Sequence, residues 1–128
     1  MPASNDRLRP RPADRFAGAE HRTELTSALE TLRSEPHGGK EGHRQITIFR
    51  KGPLRLVLFA FEAGGHLVAH RAPGFVVIQA LRGSVRVRTQ RETHELTVGR
   101  VLVLDPDVVH DVEAVNAADM LLTVSLVP

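Results

Sequence analysis

The chain contains no cysteine, tryptophan or tyrosine, and five phenylalanines supply all of its large aromatic side chains. Without cysteine there can be no disulfide, thiolate metal site or cysteine nucleophile, so any metal chemistry must use histidine and carboxylate side chains. The lack of tryptophan and tyrosine argues against sugar binding by aromatic stacking. The same lack argues against nucleic-acid binding, because single-strand binding normally adds stacked aromatic side chains to basic ones.

Long apolar runs are also missing. No run approaches the roughly 20 apolar residues that span a bilayer, and the first residues lack the apolar segment of a secretory signal. We therefore expect a cytoplasmic protein with no membrane role. No phosphate loop or dinucleotide fingerprint is present either. A length of 128 residues is typical of one domain with a single core.

Residues 1–42 are predicted to form an N-terminal arm. Residues 1–13 are rich in arginine and proline, which predicts a disordered start. The segment HRTELTSALETLRSE then predicts a short amphipathic helix, because its apolar residues fall at i, i+3, i+4 and i+7. These residues are Leu25, Ala28, Leu29 and Leu32.

From residue 43 to the C-terminus the pattern is that of an all-β domain. Short runs rich in Val, Ile, Leu and Phe recur with turn signals between them, which favours a sandwich or barrel. The run PLRLVLFAF is apolar on both faces apart from Arg55, so its outer face must be covered. The helix, the N-terminal segment or a second subunit are the candidates, and we expect a homodimer.

Two spaced motifs lie within this all-β segment. The first contains Gly64, His70 and Gly83 at the spacing G-x5-H-x-H-x3-E-x6-G, which resembles the first motif of the cupin family. The second histidine and the glutamate of that motif are replaced by Ala72 and Val76. The spacing of the motif is therefore retained, but two of its metal-binding residues are replaced.

The second motif of the cupin family is G-x5-P-x-G-x2-H-x3-N. Gly99 and His110 fit this spacing, and Asp105 and Asp107 stand at the positions of its proline and second glycine. Ala114 stands at the asparagine position. We expect Asp107 to be a turn residue that tolerates an unusual backbone angle.

The resemblance to cupins implies an all-β fold, a double-stranded β-helix (jelly-roll) barrel of the RmlC-like type over residues 43–128, with an N-terminal helix or arm. It also implies a metal site, since complete cupin motifs hold Fe, Mn, Ni, Cu or Zn through three histidines and one glutamate. Of those ligands this chain retains His70 and His110. The resemblance therefore predicts a degenerate metal site with weak or no metal binding, and no cofactor is assured.

Two other histidines are candidates for a third metal ligand. His66 shares a strand face with His70, but four residues along a strand span about 13 Å. Unless a bulge intervenes, the two cannot bind one ion. His94 is two residues from Leu96, so the two side chains are expected to face the same side of their strand, toward the barrel interior. His94 is therefore the better candidate.

The first functional hypothesis is small-molecule binding in an apolar barrel pocket that contains His70 and His110. The pocket residues are predicted to be Ala72, Val76, Ile78 and Ala80. Because histidine titrates near neutral pH, the two histidines are also the candidate catalytic groups, as hydrogen-bonding or acid/base residues.

Two alternatives stay open. One is a divalent-metal-dependent cupin enzyme of the dioxygenase or isomerase type, with a third ligand from His94, water or the partner chain. The other is a non-catalytic dimeric scaffold or regulatory module that uses the basic N-terminal arm. The sequence leaves open whether the protein is an enzyme, and it identifies neither ligand nor reaction.

Overall fold

The computed structural model describes residues 15–36 and 40–128, so the predicted disorder of residues 1–13 lies outside the described residues. The described elements are, in chain order, the helix α1 (Leu25–Arg33), a short 3-10 turn (Lys40–Gly42) and the strands β1 (His43–Lys51), β2 (Leu54–Phe61), β3 (His66–His70), β4 (Gly74–Arg82), β5 (Ser84–Thr89), β6 (Thr93–Thr97), β7 (Val101–Leu104), β8 (His110–Ala114) and β9 (Ala118–Leu126).

The strands form two antiparallel sheets. One sheet has five strands in the order β1-β2-β9-β4-β7, and the other has four in the order β3-β8-β5-β6. Consecutive strands alternate between the sheets from β2 to β5, as in a jelly roll. The edge strands are β1 and β7 in the first sheet and β3 and β6 in the second. The predicted jelly-roll barrel with an N-terminal helix is confirmed.

The core lies between the two sheets because inward-facing residues alternate with outward-facing ones along the strands. On β5, Val85 and Val87 are fully buried, whereas Arg86 and Arg88 between and beyond them lie on the outer face. Other core residues come from both sheets, and the largest of the fully buried ones include Ile78 and Met120. Apolar side chains therefore fill the space between the two sheets.

The helix α1 covers part of the outer face of the five-stranded sheet. Its apolar stripe buries Leu29 and Leu32, and Leu58 of β2 is fully buried on that face of the sheet. At the end of the helix, Nη1 of Arg33 donates a hydrogen bond to Oδ2 of the buried Asp119 at 2.6 Å. Nε of Arg82 donates to the same oxygen at 2.9 Å. One carboxylate thus ties the helix to β4 and β9.

Within the described residues, no helix has both the length and the apolar character that crossing a bilayer requires.

Candidate functional site

Three connections meet at one end of the barrel, which we call the mouth: the β3–β4 loop (71–73), the β5–β6 turn (90–92) and the β7–β8 loop (105–109). The backbone N–H of Asp107 donates a hydrogen bond to the carbonyl of Ala72, which joins two of these loops at 2.9 Å. Asp107 has a φ of 67°, in the left-handed region that the glycine of the cupin motif would adopt with ease. The predicted turn role of Asp107 thus fits its backbone.

The two motif histidines lie together at the mouth. His70 ends β3 and His110 begins β8, and the two residues are direct partners in the antiparallel ladder. Their ring centroids are 4.4 Å apart, with the ring planes inclined by 55°. His110 has the parity of the core residues Val112 and Ala114, so its ring points into the barrel. Only 2% of His110 is exposed, whereas His70 is exposed at the rim.

His66 does not share this face. It is paired with Glu113, and a register shift occurs in β3 between Leu67 and His70. Such a bulge adds one residue to a strand and reverses the facing of the residues that follow it. His66 therefore lies on the outer face with Glu113, which corrects the expectation from simple alternation that His66 and His70 point to the same side.

Both histidines of the pair are oriented by their own backbone. Nδ1 of His110 lies 3.0 Å from the carbonyl oxygen of Val108, and Nδ1 of His70 lies 2.9 Å from that of Val68. A carbonyl can only accept, so in each ring Nδ1 carries the proton and donates. This leaves Nε2 of each neutral ring as an acceptor. Nε2 of His110 is buried and has no hydrogen-bond partner among the described residues.

Burial lowers the pKa of His110 below its usual range, because the charged imidazolium would lose its hydration there. The hydrogen bond to Val108 raises this pKa, and the nearby His70 lowers it further. The lowering effects prevail, so His110 is neutral at physiological pH. A neutral imidazole with its Nδ1–H already engaged can accept a proton, a hydrogen bond or a metal ion at Nε2.

His94 lies on β6 opposite the core residue Val87, so it faces the inside of the barrel. Among the described residues, however, no three His, Asp or Glu side chains come close enough together to hold a metal ion. Two imidazoles alone do not fit the four-ligand site of a complete cupin. That His94 acts as a third metal ligand stays a prediction.

The four predicted pocket residues lie on β4 and in the loop before it. Val76, Ile78 and Ala80 are buried members of the apolar core, and Ala72 is half-buried and packs against it. The two cavities at the mouth are lined by other residues. That the four residues bound a ligand pocket stays a prediction.

The larger cavity at the mouth, which we call the mouth cavity, has a volume of about 630 Å3. It is lined by the end of β5, by β6 and β7, and by the three mouth loops. Its polar lining residues are Arg71, Thr89, Gln90, Arg91, Glu92, His94, Asp105 and Asp107. A smaller cavity of about 230 Å3 reaches His110 and shares Thr89, Gln90 and Val109 with the larger one. The two cavities are therefore neighbours along one rim.

No pattern in the sequence indicates that these loop residues line a cavity. Arg71 lies between two positions of the first motif, and Gln90 and Arg91 follow the strand that ends beside His110. A search of the loops that flank the motif histidines would have found them, because strand ends on one side of a barrel meet at one rim.

Solved structures share this fold. The chain is similar to a cupin superfamily protein from Desulfitobacterium hafniense, with a TM-score of 0.69 and 15% identity over 85% of this chain and 94% of that one. It is also similar to an RmlC-like cupin from Shewanella frigidimarina, with a TM-score of 0.68 and 18% identity over 85% and 93%. A third, an RmlC-like cupin from Desulfovibrio desulfuricans, has a TM-score of 0.66 and 20% identity over 83% and 97%.

No curated protein matches the sequence significantly. The family model of the AraC-like ligand binding domain matches residues 56–125, more than half of the chain. That range runs from β2 to β9 and includes both motif histidines. The chain therefore belongs to the cupin-type family of AraC-like ligand binding domains.

Proposed function

We propose that this protein binds a small molecule at the mouth of its barrel, with His110 and His70 as hydrogen-bonding groups. The observation that carries the proposal is the buried Nε2 atom of His110, which has no partner among the described residues. A buried polar atom without a partner costs about 1–3 kcal/mol. A ligand O–H or N–H that donates to Nε2 would offset this cost, so the site favours a ligand with a hydrogen-bond donor.

The surroundings of the pair support an organic ligand. The smaller cavity beside His110 is lined by Ala69 and Val109, by the amide of Gln90 and by the ion pair of Arg88 and Asp111, so it offers both apolar and polar contacts. The apolar pocket that the sequence predicts at Ala72 and Val76 would extend this surface inward. In this proposal, metal binding is weak or absent and the two histidines act through hydrogen bonds or proton transfer.

A ligand screen followed by NMR on 15N-labelled protein tests the proposal. Compounds with O–H or N–H donors are expected to shift resonances at the mouth, and His110→Ala is expected to remove these shifts while the protein stays folded. His66→Ala is the matched control, because His66 lies on the outer face. Ligands that bind His110→Ala as tightly as the parent protein would contradict the proposal.

The second candidate is a divalent-metal enzyme of the dioxygenase or isomerase type. Its support is that both rings are held by Nδ1–H to a backbone carbonyl, an arrangement typical of histidines that bind metal through Nε2. Elemental analysis of untagged protein distinguishes the two candidates. Stoichiometric Fe, Mn, Ni, Cu or Zn that is lost in both His70→Ala and His110→Ala would favour the enzyme, and His94→Ala would then test the third ligand.

A scaffold or regulatory role is the third possibility, and it makes an opposite prediction. In a scaffold, His70→Leu leaves function intact, because no ligand uses the exposed ring. In the ligand-binding proposal the same substitution weakens binding without unfolding the protein. The cytoplasmic location and the role of the basic N-terminal arm stay predictions.

The proposal includes a homodimer formed through the outer face of the five-stranded sheet. Phe75 of β4 and Val101 and Val103 of β7 are 43%, 58% and 55% exposed there. Exposed apolar patches of this kind mark interaction surfaces, and a second copy would bury the patch symmetrically. Light scattering is expected to give a dimer that Val103→Glu disrupts and that Val115→Glu, at the far end of the barrel, does not. A monomeric parent protein would contradict it.

A further inference from the structure

We propose that the ligand of the mouth is a zwitterion, a small molecule that carries both an ammonium and a carboxylate group. This inference rests on the proposed function and names the chemical class of its ligand. It concerns the mouth cavity, whose volume of about 630 Å3 lies within the roughly 300–1,000 Å3 that is usual for small-molecule sites.

The mouth cavity is lined by charges of both signs that do not pair with each other. Arg71 and Arg91 supply the positive charges, and Glu92, Asp105 and Asp107 supply the negative ones. Within the described part of the chain, none of these five side chains makes a hydrogen bond or an ion pair. Both signs are therefore available to a ligand in one cavity.

The charges on the neighbouring outer face behave differently. Arg88 donates a hydrogen bond to Asp111 at 2.9 Å, and Arg86 approaches Glu113 at 3.5 Å. Opposite charges on adjacent strands of this protein thus do form pairs. Around the mouth cavity, Arg71 after β3 and Asp105 after β7 lie on different loops. Arg91 and Glu92 are adjacent in one turn, and their side chains also form no ion pair within the described residues.

A ligand with a single charge would be attracted by one group of these side chains and repelled by the other. A ligand with both charges can place its carboxylate near the arginines and its ammonium near the carboxylates. The mouth cavity also adjoins the smaller cavity that reaches His110. A ligand in the mouth cavity would therefore lie next to the cavity that His110 helps to line.

Probes with the same five-carbon chain and different charged groups test this inference by NMR titration. L-norvaline and 5-aminopentanoate are zwitterions with close and distant charges, pentanoate is the anion, pentylamine is the cation and 1-pentanol is neutral. We expect at least one zwitterion to bind about fivefold more tightly than each of the other three probes, as exposed ion pairs of modest strength allow. Shifts are expected at residues 90–92 and 105–109.

Two substitutions remove one sign each. Arg91→Gln removes a positive charge, and Asp107→Asn removes a negative one while keeping a residue that tolerates the φ of 67° at this position. Each is expected to reduce the preference for the zwitterion to about the level of a singly charged probe. Arg50→Gln is the matched control, because Arg50 is an exposed arginine on β1 away from the mouth cavity, and it is expected to leave binding unchanged.

The zwitterion proposal is overturned if pentanoate, pentylamine or 1-pentanol binds the mouth as tightly as both zwitterions, or if neither Arg91→Gln nor Asp107→Asn changes the preference. In that outcome ligand binding at the mouth survives and only the ligand class is wrong. If none of these probes and no compound of the wider donor screen shifts the mouth resonances, the proposed function fails together with this inference. The two failures are thus distinguishable.

Discussion

Replacement of His110 by leucine is expected to stabilise this protein while it removes ligand binding. In the parent protein Nε2 of His110 is buried without a partner among the described residues, which costs about 1–3 kcal/mol. Leucine fills a similar volume and has no polar atom to bury. The substitution also removes the hydrogen bond from Nδ1 to Val108, whose net contribution is about 1 kcal/mol.

The balance of these two effects is a gain of about 1 kcal/mol in the free energy of unfolding. For a domain of this size the gain corresponds to an increase of about 4 °C in Tm. In a ligand-binding site, a substitution that removes binding is expected to increase stability, because the residue that binds a ligand is rarely the most stabilising residue at its position.

The stability advantage of His110→Leu over the parent protein is expected to grow as the pH falls. Burial lowers the pKa of His110 in the folded protein below the value of 6.5 for an unperturbed histidine, so the unfolded chain takes up this proton first. Stability that is present above pH 6.5 is therefore lost progressively as the pH falls below it and through the lowered pKa. His110→Leu cannot lose stability in this way.

Urea denaturation of both proteins at about pH 7.5 and about pH 5.5 measures this difference. His66→Leu is the control, since it removes a histidine from the outer face, and it is expected to leave stability unchanged at both values. A loss of stability in His110→Leu at the higher pH, with no relative gain at the lower one, would contradict an unpartnered Nε2. It would mean that Nε2 already has a partner in the free protein.

The buried carboxylate of Asp119 and the turn at Gly83 also stabilise the fold. Asp119→Asn is expected to cost about 2 kcal/mol in urea denaturation, because the buried carboxylate accepts hydrogen bonds from Arg33 and Arg82, and the half-exposed arginines limit the loss. A cost near zero would show that this link does not hold the helix. Gly83→Ala is expected to cost more than about 2 kcal/mol or to prevent folding, because Gly83 has a φ of 72° and its new Cβ would collide with the carbonyl oxygen of Ala117. Gly52→Ala, where nothing lies within 4 Å, is expected to cost about 1 kcal/mol. Equal effects in the two glycine variants would contradict the collision.

Much of the fold is predictable from the sequence because alternation and motif spacing are local properties. Val85 and Val87 alternate with Arg86 and Arg88, and the structure buries the valines and leaves the arginines on the outer face. The glycine and histidine spacing of the cupin motifs places equivalent positions at the same strand ends. This is why the sequence singled out the pair of histidines that the structure holds 4.4 Å apart.

The bulge in β3 was not predictable, because no residue type in HLVAH demands one. It places His66 on the outer face and His70 at the mouth, whereas simple alternation predicts one face for both. The orientation of the rings was equally hidden, since the contacts of Nδ1 with the carbonyls of Val68 and Val108 depend on strand ends. Alternation also gives no information on which loops surround a cavity, so the lining by Arg71 and other loop residues emerged only with the tertiary structure.

Whether His110 offers a free acceptor to a ligand is tested most directly by the tautomer and charge of its ring. Both are measured by 15N NMR of the histidine side chains in the free protein between about pH 7.5 and about pH 5.5. We predict a neutral ring with the proton on Nδ1, a free Nε2 and a pKa below that of an unperturbed histidine. We also predict that the Nε2 resonance shifts when a donor ligand is added. A proton on Nε2, or an imidazolium at neutral pH, would contradict the claim that this nitrogen is an acceptor held for a ligand.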